Sequence, residues 1–291
     1  MQYSSAVLIA AFAATNVFAH GVLDSIKGAN QVEMPGLSLV DGTPRDCATP
    51  GCGSEVDTTI LREREMGTAR ASAVGRNAKG PVQPAKMIAL FMGGDANSTA
   101  AVAARELHEA MMQRRSLGVR QANGGVKTPK GTKETRVAAA AGMGASNGLP
   151  TTSDSGEITM TFHQVNQDGA GPLNAKIDAT SGGTDPKAFK TAEVTQNVPG
   201  IGVGGLSAAS TMDFPVKVQM PAGMTCSGSS GGAENVCIVT LQNGAAAGPF
   251  GGSAAFTQSP AAKKRAIEYN LKKRNFARAL AAAAADDEDD E

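Results

Sequence analysis

The clearest strand of the chain reads EITMTFHQV, residues 157–165. Its apolar side chains Ile158, Met160 and Phe162 alternate with polar ones, which is the period-two pattern of a half-buried β-strand. The polar face carries His163, and the pattern therefore predicts that this imidazole points toward solvent or a bound metal.

Working outward from this strand, other short segments predict regular structure. Alternating or apolar runs predict further strands, and Ala-rich runs predict helices. Gly-rich connections between the strands favour a mainly β fold, a β-sandwich with long loops, over a doubly wound sheet. The predicted strands are 20–28, 36–40, 214–220 and 236–241, and the predicted helical segments are 85–92, 100–112 and a peripheral C-terminal helix from Pro260.

The first 19 residues predict a signal peptide. They contain no charged side chain, include the apolar run 6–14 and end in Val17-Phe18-Ala19, with small residues where a signal peptidase reads. The run is shorter than the roughly 20 apolar residues of a membrane span. We therefore expect an extracellular, secreted protein whose mature chain begins at His20, with association with a cell wall left open.

Composition divides the rest of the chain. Residues 20–258 are expected to form one secreted β-sandwich domain, and the basic, Gly/Ala-rich stretch 113–148 lacks large apolar side chains and predicts a disordered insertion. Residues 259–291 predict a basic helical tail that ends in an acidic run. Lys+Arg and Asp+Glu balance at 27 each, which removes any global argument for nucleic-acid binding.

The four cysteines allow three disulfide pairings in an oxidising compartment. We favour Cys47–Cys52 and Cys226–Cys237, because each pair brackets a Gly-containing turn, and the spacings are not those of zinc sites. Asn97-Ser98-Thr99 is a glycosylation sequon, which predicts a glycoprotein with this segment on the surface.

His20 is the residue most indicative of chemistry. At a mature N-terminus its α-amine and imidazole can chelate a metal, and a second imidazole would complete a three-nitrogen site that suits copper. His163 and His108 can supply it, and His163 is preferred because it lies on a strand. The alternatives are a His that follows the cleavage site by chance and a strand His that is merely solvated or hydrogen-bonded.

Five segments resemble one known family. The match spans roughly residues 20–277, and the string from His163 to Pro172 is its most specific part. The chain is similar to the Egh-type secreted virulence factors of fungi, which are associated with appressoria, haustoria and host penetration. The segments are HGV at 20–22, KGAN at 27–30, DGTPRD at 41–46, FHQVNQDGAGP at 162–172 and GPFGG at 248–252.

A more distant similarity is to lytic polysaccharide monooxygenases, whose copper is held by a histidine brace. It implies an immunoglobulin-like or monooxygenase-like β-sandwich with His20 and His163 as copper ligands and Phe250 at the axial position, with Phe256 as a rival. It also implies a function in which reduced copper activates oxygen or peroxide and removes hydrogen from a glycan C–H bond.

The aromatic composition bears on the partner. The chain has no Trp, and after signal removal its one remaining Tyr is Tyr269 in the predicted C-terminal helix, so a flat stacking face for crystalline polysaccharide has little support. The partners expected are cell-wall polysaccharide or a host surface, with no nucleic acid and no membrane span. The alternative to a copper enzyme is a non-enzymatic cell-wall or effector protein. Substrate and oligomeric state stay open.

Overall fold

A computed structural model describes residues 20–93, 97–117, 121–122, 124–169, 171–200 and 209–288, so the predicted signal peptide lies outside the described residues. The strands are β1 Gly21–Lys27, β2 Glu33–Pro35, β3 Thr59–Ile60, β4 Arg76–Asn77, β5 Gly80–Pro81, β6 Gln121–Ala122, β7 Gly125–Lys127, β8 Glu157–Gln164, β9 Asn174–Asp178, β10 Phe189–Gln196, β11 Met212–Gln219, β12 Gly228–Ser230, β13 Ala233–Gln242 and β14 Phe250–Phe256. The α-helices are α1 Pro84–Gly93, α2 Thr99–Leu117, α3 Arg136–Ala139, α4 Gly144–Asn147 and α5 Pro260–Glu288.

The strands form one antiparallel sheet path that curves into a half-barrel. Its order is β2-β1-β8-β11-β10-β9-β13-β14-β3-β4-β5, with β7 added beside β11 and β12 beside β13. Strand β10 hydrogen-bonds to β11 on one side and to β9 on the other, so it joins the two facing layers. The predicted mainly β class with a C-terminal helix is confirmed.

The core lies between these layers, and β8 supplies its centre. Ile158, Met160 and Phe162 are buried in one cluster with Ile177 of β9 and Phe256 of β14, in the opposite layer. Strand β8 pairs with β1 on one side and β11 on the other. The period-two pattern of the sequence therefore predicts the buried face of this strand correctly.

The two layers approach each other closely where β1 meets β14. A Cβ on Gly252 would lie 2.7 Å from Leu23 Cβ and 2.8 Å from its backbone nitrogen. Only the hydrogen side chain of glycine leaves room for this approach, which brings the start of β1 beside the start of β14.

The prediction of a strand at 36–40 is wrong. The strand in this region is β2, which ends at Pro35, and residues 36–40 form a turn and loop. Pro35 lacks an N–H to continue the ladder. At Gly36 the chain passes so close to Leu23 that a Cβ would overlap its carbonyl oxygen. The backbone then leaves β1, and Leu37 N–H donates to Ser253 O of β14 at 2.8 Å.

Residues 113–148 are predicted to be disordered, but the described part of this stretch is folded. Helix α2 continues to Leu117, and residues 124–148 contain β7, α3 and α4. Backbone hydrogen bonds join residues 42–45 to 132–134, and Glu134 is buried. Composition misled because polar contacts, and not large apolar side chains, hold this segment. Residues 118–120 and 123 lie outside the described part.

Both favoured disulfides, Cys47–Cys52 and Cys226–Cys237, are present. Asn97 of the sequon is exposed just before α2. Helix α5 packs on the body through Ala262 and Ala266, while later side chains such as Phe276 are exposed. Within the described residues, no helix combines the length and apolar character that a bilayer crossing requires.

Candidate metal site around His20

The backbone of His20 is fixed against the end of β8. Its carbonyl oxygen accepts hydrogen bonds from the N–H groups of Val165, at 3.0 Å, and Asn166, at 3.4 Å. Its own backbone nitrogen donates to Asn166 Oδ1 at 2.8 Å. The segment that follows β8 therefore determines where the first residue of the predicted mature chain lies.

The His20 imidazole lies between two side chains from distant parts of the sequence. Its Nδ1 lies 3.1 Å from Glu55 Oε1, and its ring centroid is 4.2 Å from that of Phe250, with the planes tilted by 40°. Phe250 begins β14, and its N–H donates to Asn243 Oδ1 at 2.9 Å. The structure thus brings His20 and the predicted axial residue together.

Burial controls the charge of this site. It lowers the pKa of His20 to about 4 and raises the pKa of Glu55. At neutral pH the imidazole is uncharged, which is the form that binds metals.

The donor atoms at this site are chemically suited to copper. Asn166 Oδ1 lies 2.8 Å from the backbone nitrogen of His20, which cleavage after Ala19 would convert into an amine, and Glu55 Oε1 lies 3.1 Å from His20 Nδ1. Nitrogen and oxygen donors of this kind suit Cu(II) in a tetragonal arrangement. Across the described residues, no three or more His, Cys, Asp and Glu side chains are grouped to hold a metal, so a metal here would need the amine of His20 in addition to the side chains of His20 and Glu55.

The imidazole opens onto a cleft of about 330 Å³. Besides His20, its lining includes Glu55, Thr58, Arg76 and Asn77. Arg76 donates to Glu65 Oε2 at 2.8 Å. Apart from the imidazole of His20, the residues that line this cleft carry no aromatic ring.

The position of His163 on the polar side of the strand predicts that it faces solvent or a bound metal. In the structure it does not face solvent. It is 1% exposed, its Nδ1 is 2.5 Å from Asp213 Oδ1, and it lines a different cavity from the one that His20 lines. The reason is that polar side chains cover the end of β8 that carries His163, where Arg45 and Arg136 line the same cavity, whereas Thr159 on the same face of the strand is exposed.

That covering layer is a buried network of ion pairs. Arg45 donates to both oxygens of Asp57, at 2.9 and 2.6 Å, and to Glu134 Oε2 at 2.8 Å. Arg136 donates to Asp24 Oδ1 at 2.8 Å and also contacts Glu134. The network packs residues 45–57 and 134–136 onto the outside of β1 and β8.

The sequence analysis does not predict this network, although one family motif contains one of its members. Arg45 lies in the DGTPRD segment at 41–46, one of the family motifs. In the same motif Asp41 caps α3 by accepting from the N–H groups of Val137, at 3.0 Å, and Ala138, at 2.8 Å. An Arg-Asp step in a turn segment is the signal that could have pointed to a structural role.

The remaining candidates lie elsewhere. His108 is on α2, with Nδ1 3.0 Å from Thr135 Oγ1. Phe256 is fully buried at the far end of β14, about 20 Å along the strand from Phe250, so the structure favours Phe250 over this rival as the aromatic neighbour of His20. Tyr269 lies on α5, beside a groove that does not include His20.

Comparison with known proteins gives the family. The model of the Egh16-like virulence factors matches residues 18–251 of this chain. The chain belongs to the Egh16-like virulence factor family. It is 65% identical over 293 residues, covering 100% of both chains, to the appressoria-specific virulence factor GAS2 of Pyricularia oryzae. It is 37% identical to GAS1 of that fungus over 129 residues, which are 43% of this chain and 50% of GAS1.

The family assignment fixes the coarse function. This Egh16-like chain is a fungal virulence-associated protein, in agreement with the resemblance in its sequence. No solved structure matches it. Similarity to copper monooxygenases stays a prediction.

Proposed function

We propose that this Egh16-like protein is secreted and holds one copper ion at a mature N-terminus formed by His20. The observation that carries the proposal is that Glu55 Oε1 lies 3.1 Å from His20 Nδ1 and Asn166 Oδ1 lies 2.8 Å from the His20 nitrogen, with Phe250 against the imidazole. These groups come from four separate segments of the fold, and together they suit a Cu(II) ion.

Secretion is part of the proposal. The uncharged, apolar first 19 residues and their small residues before His20 support cleavage at that point. Two disulfides, Cys47–Cys52 and Cys226–Cys237, support it independently, because disulfides persist in oxidising compartments.

Each residue of the site has a distinct task. His20 would bind through its amine and Nδ1, Glu55 would add a carboxylate oxygen, and Asn166 would orient the amine. Phe250 covers one side of the imidazole and keeps water from it. Bound copper supplies one-electron redox chemistry and activation of oxygen or peroxide.

Glu55 replaces His163 as the proposed second side-chain ligand. Glu55 is in contact with His20, whereas His163 is held by Asp213 in a separate cavity. The site would then have two nitrogen ligands, and the histidine brace implied by the resemblance would have three.

Electron paramagnetic resonance on a copper titration of the mature protein tests the proposal. We expect one equivalent of axial Cu(II) with hyperfine coupling to two nitrogens, at least tenfold weaker binding in Glu55→Gln, and an unchanged signal in His163→Ala. An extra residue ahead of His20 should abolish tight binding. Three coupled nitrogens in the unaltered protein would assign the His163 brace instead, and binding that ignores the added residue would overturn the N-terminal site.

Catalysis is tested separately, on soluble glycans, since the cleft lacks an aromatic stacking face. We expect oxidised sugars that need copper, a reductant and an unextended His20. Copper binding without any oxidised product would leave a metal-binding virulence protein that is not an enzyme.

The second candidate is a non-enzymatic protein that binds host or fungal surfaces. The observation in its favour is α5, where the basic side chains of Lys272, Lys273 and Arg274 are exposed beside exposed Phe276. Retention on cell walls that is lost on deletion of residues 268–291, with no copper dependence, would support this candidate.

A further inference from the structure

A second cleft, of about 480 Å³, lies between the segment 30–35 and helices α2, α3 and α4. We call it the α2 cleft. It shares no lining residue with the cleft at His20. Its volume falls within the range of roughly 300 to 1,000 Å³ that is typical of small-ligand sites.

One part of the α2 cleft is apolar, and its rim carries polar side chains that end in planar groups. Val32, Pro35, Ala139 and Ala140 supply apolar surface. The polar lining includes the amides of Gln31 and Asn147, the carboxylates of Glu33 and Glu109 and the guanidinium of Arg105. Amides both donate and accept, carboxylates accept, and guanidinium groups donate, often through two atoms at once.

The charges at this rim do not favour an anionic ligand. The carboxylates of Glu33 and Glu109 and the guanidinium of Arg105 all line the cleft, Arg105 and Glu109 one turn apart on α2. Arg136 also lines the cleft, but its guanidinium donates to Asp24 at 2.8 Å and to Glu134 at 3.1 Å, so its charge is balanced within the protein. A ligand rich in phosphate or carboxylate would meet more negative than positive charge here.

The chemistry of this lining matches a sugar ring. Each sugar hydroxyl is both a donor and an acceptor, and neighbouring hydroxyls are spaced for the paired atoms of amide, carboxylate and guanidinium groups. The C–H face of the ring would pack on the apolar surface, which gains free energy from burial. The volume accommodates a few sugar units.

The rim is preformed. Asn30 Oδ1 accepts from Thr151 N–H at 3.1 Å, and Asn30 Nδ2 donates to Leu149 O at 3.1 Å. The next residue, Gln31, has a φ of 63°, a left-handed conformation that a non-glycine residue keeps only when its surroundings hold it. Little ordering entropy would be lost on binding there.

We infer that the α2 cleft binds a neutral oligosaccharide. The inference does not depend on copper, because the cleft and the His20 site have no residue in common. It assigns a contact role to the turn that follows β1, in which the family motif KGAN at 27–30 lies.

Isothermal titration calorimetry with chitotetraose, cellotetraose and laminaritetraose tests this inference on the whole mature protein. We expect saturable binding of at least one of them, weakened at least tenfold in Glu109→Gln and in Asn147→Ala. Glu106→Gln is the matched control, since Glu106 is exposed on the same helix but does not line the cleft. Circular dichroism establishes that the variants are folded.

The measurements are repeated with a chelator and with a residue added ahead of His20, neither of which should change the affinity. Failure of the copper site would therefore leave this result intact. No binding of any of the three at millimolar concentration would overturn the inference, as would binding that Glu109→Gln and Asn147→Ala leave unchanged. Tighter binding of a tetragalacturonate would overturn the neutral character of the ligand.

Discussion

The Phe250 ring lies 4.2 Å from the His20 imidazole, centroid to centroid, although 230 positions separate the two in the chain. The close packing of β1 on β14 brings them together. Asn243 accepts the Phe250 N–H at 2.9 Å, and Arg62 donates to Gly248 O at 3.0 Å, so the turn before Phe250 is fixed from two sides. The contact is therefore a product of both the fold and this anchored turn.

Replacing Phe250 with Ala should weaken copper binding and lower the free energy of unfolding by about 3 kcal/mol, as expected for truncating a buried Phe. The imidazole loses its covering ring and becomes more hydrated. The measurements are a copper competition titration and denaturant unfolding. Phe256→Ala is the control, because it empties the core at the far end of β14 and should destabilise as much without changing copper affinity. Equal copper affinities in the two folded variants would contradict the prediction.

The ion-pair network predicts how stability depends on pH. Burial alone would raise the pKa of Glu134, but Arg136 and Arg45 outweigh it and hold the pKa well below its usual range. A carboxyl with a depressed pKa stabilises the fold above its unfolded pKa of about 4.3, and this contribution is lost as pH falls toward the folded value. The free energy of unfolding should decline as the pH falls below about 5.

Glu134→Gln isolates this contribution. Near pH 7 the variant should be less stable by about 3 to 5 kcal/mol, the cost of breaking a buried pair. The difference from the unaltered protein should shrink as the pH falls, because acid removes the same charge. If the free energies of unfolding of the two proteins instead fell in parallel with pH, ionisation of Glu134 would have no role in the pH dependence.

Gly252→Ala should be strongly destabilising. The added Cβ would lie 2.7 Å from Leu23 Cβ and 2.8 Å from the Leu23 nitrogen, so β14 and β1 would have to separate. We expect a loss of about 2 kcal/mol or more in thermal or denaturant unfolding. Gly51→Ala, where a Cβ meets nothing within 4 Å, should be close to neutral. A similar small effect for both substitutions would refute the close approach.

The two disulfides should differ in importance. Cys226–Cys237 is buried and spans 11 positions, and Cys47–Cys52 is partly exposed and spans 5. Removal of the first by double Ala substitution should cost about 3 kcal/mol, and removal of the second about 2 kcal/mol, from loop-closure entropy. Burial adds a packing loss to the first. Equal melting temperatures for the two double variants would argue against this order.

The sequence predicts those parts of the structure in which side-chain pattern and burial coincide. β8, β11, β13, α1 and both disulfides are of this kind. The environment of His163 could not be predicted, because strand periodicity shows only that a face is polar, whereas Arg45 and Arg136 show here that a polar face can be buried under ion pairs. Glu55 was missed for a related reason, since its contact with His20 depends on the path of a loop.

Strand β1 is made first but lies between β2 and β8 in the finished sheet. Lys27 and Glu157, the nearest ends of β1 and β8, are 130 positions apart. At about 5 to 20 residues per second, the ribosome needs roughly 7 to 26 s to reach β8 after finishing β1. During that time β1, which follows His20, cannot pair with β8. Folding of the nascent chain should therefore pause until the second half of the protein has been synthesised.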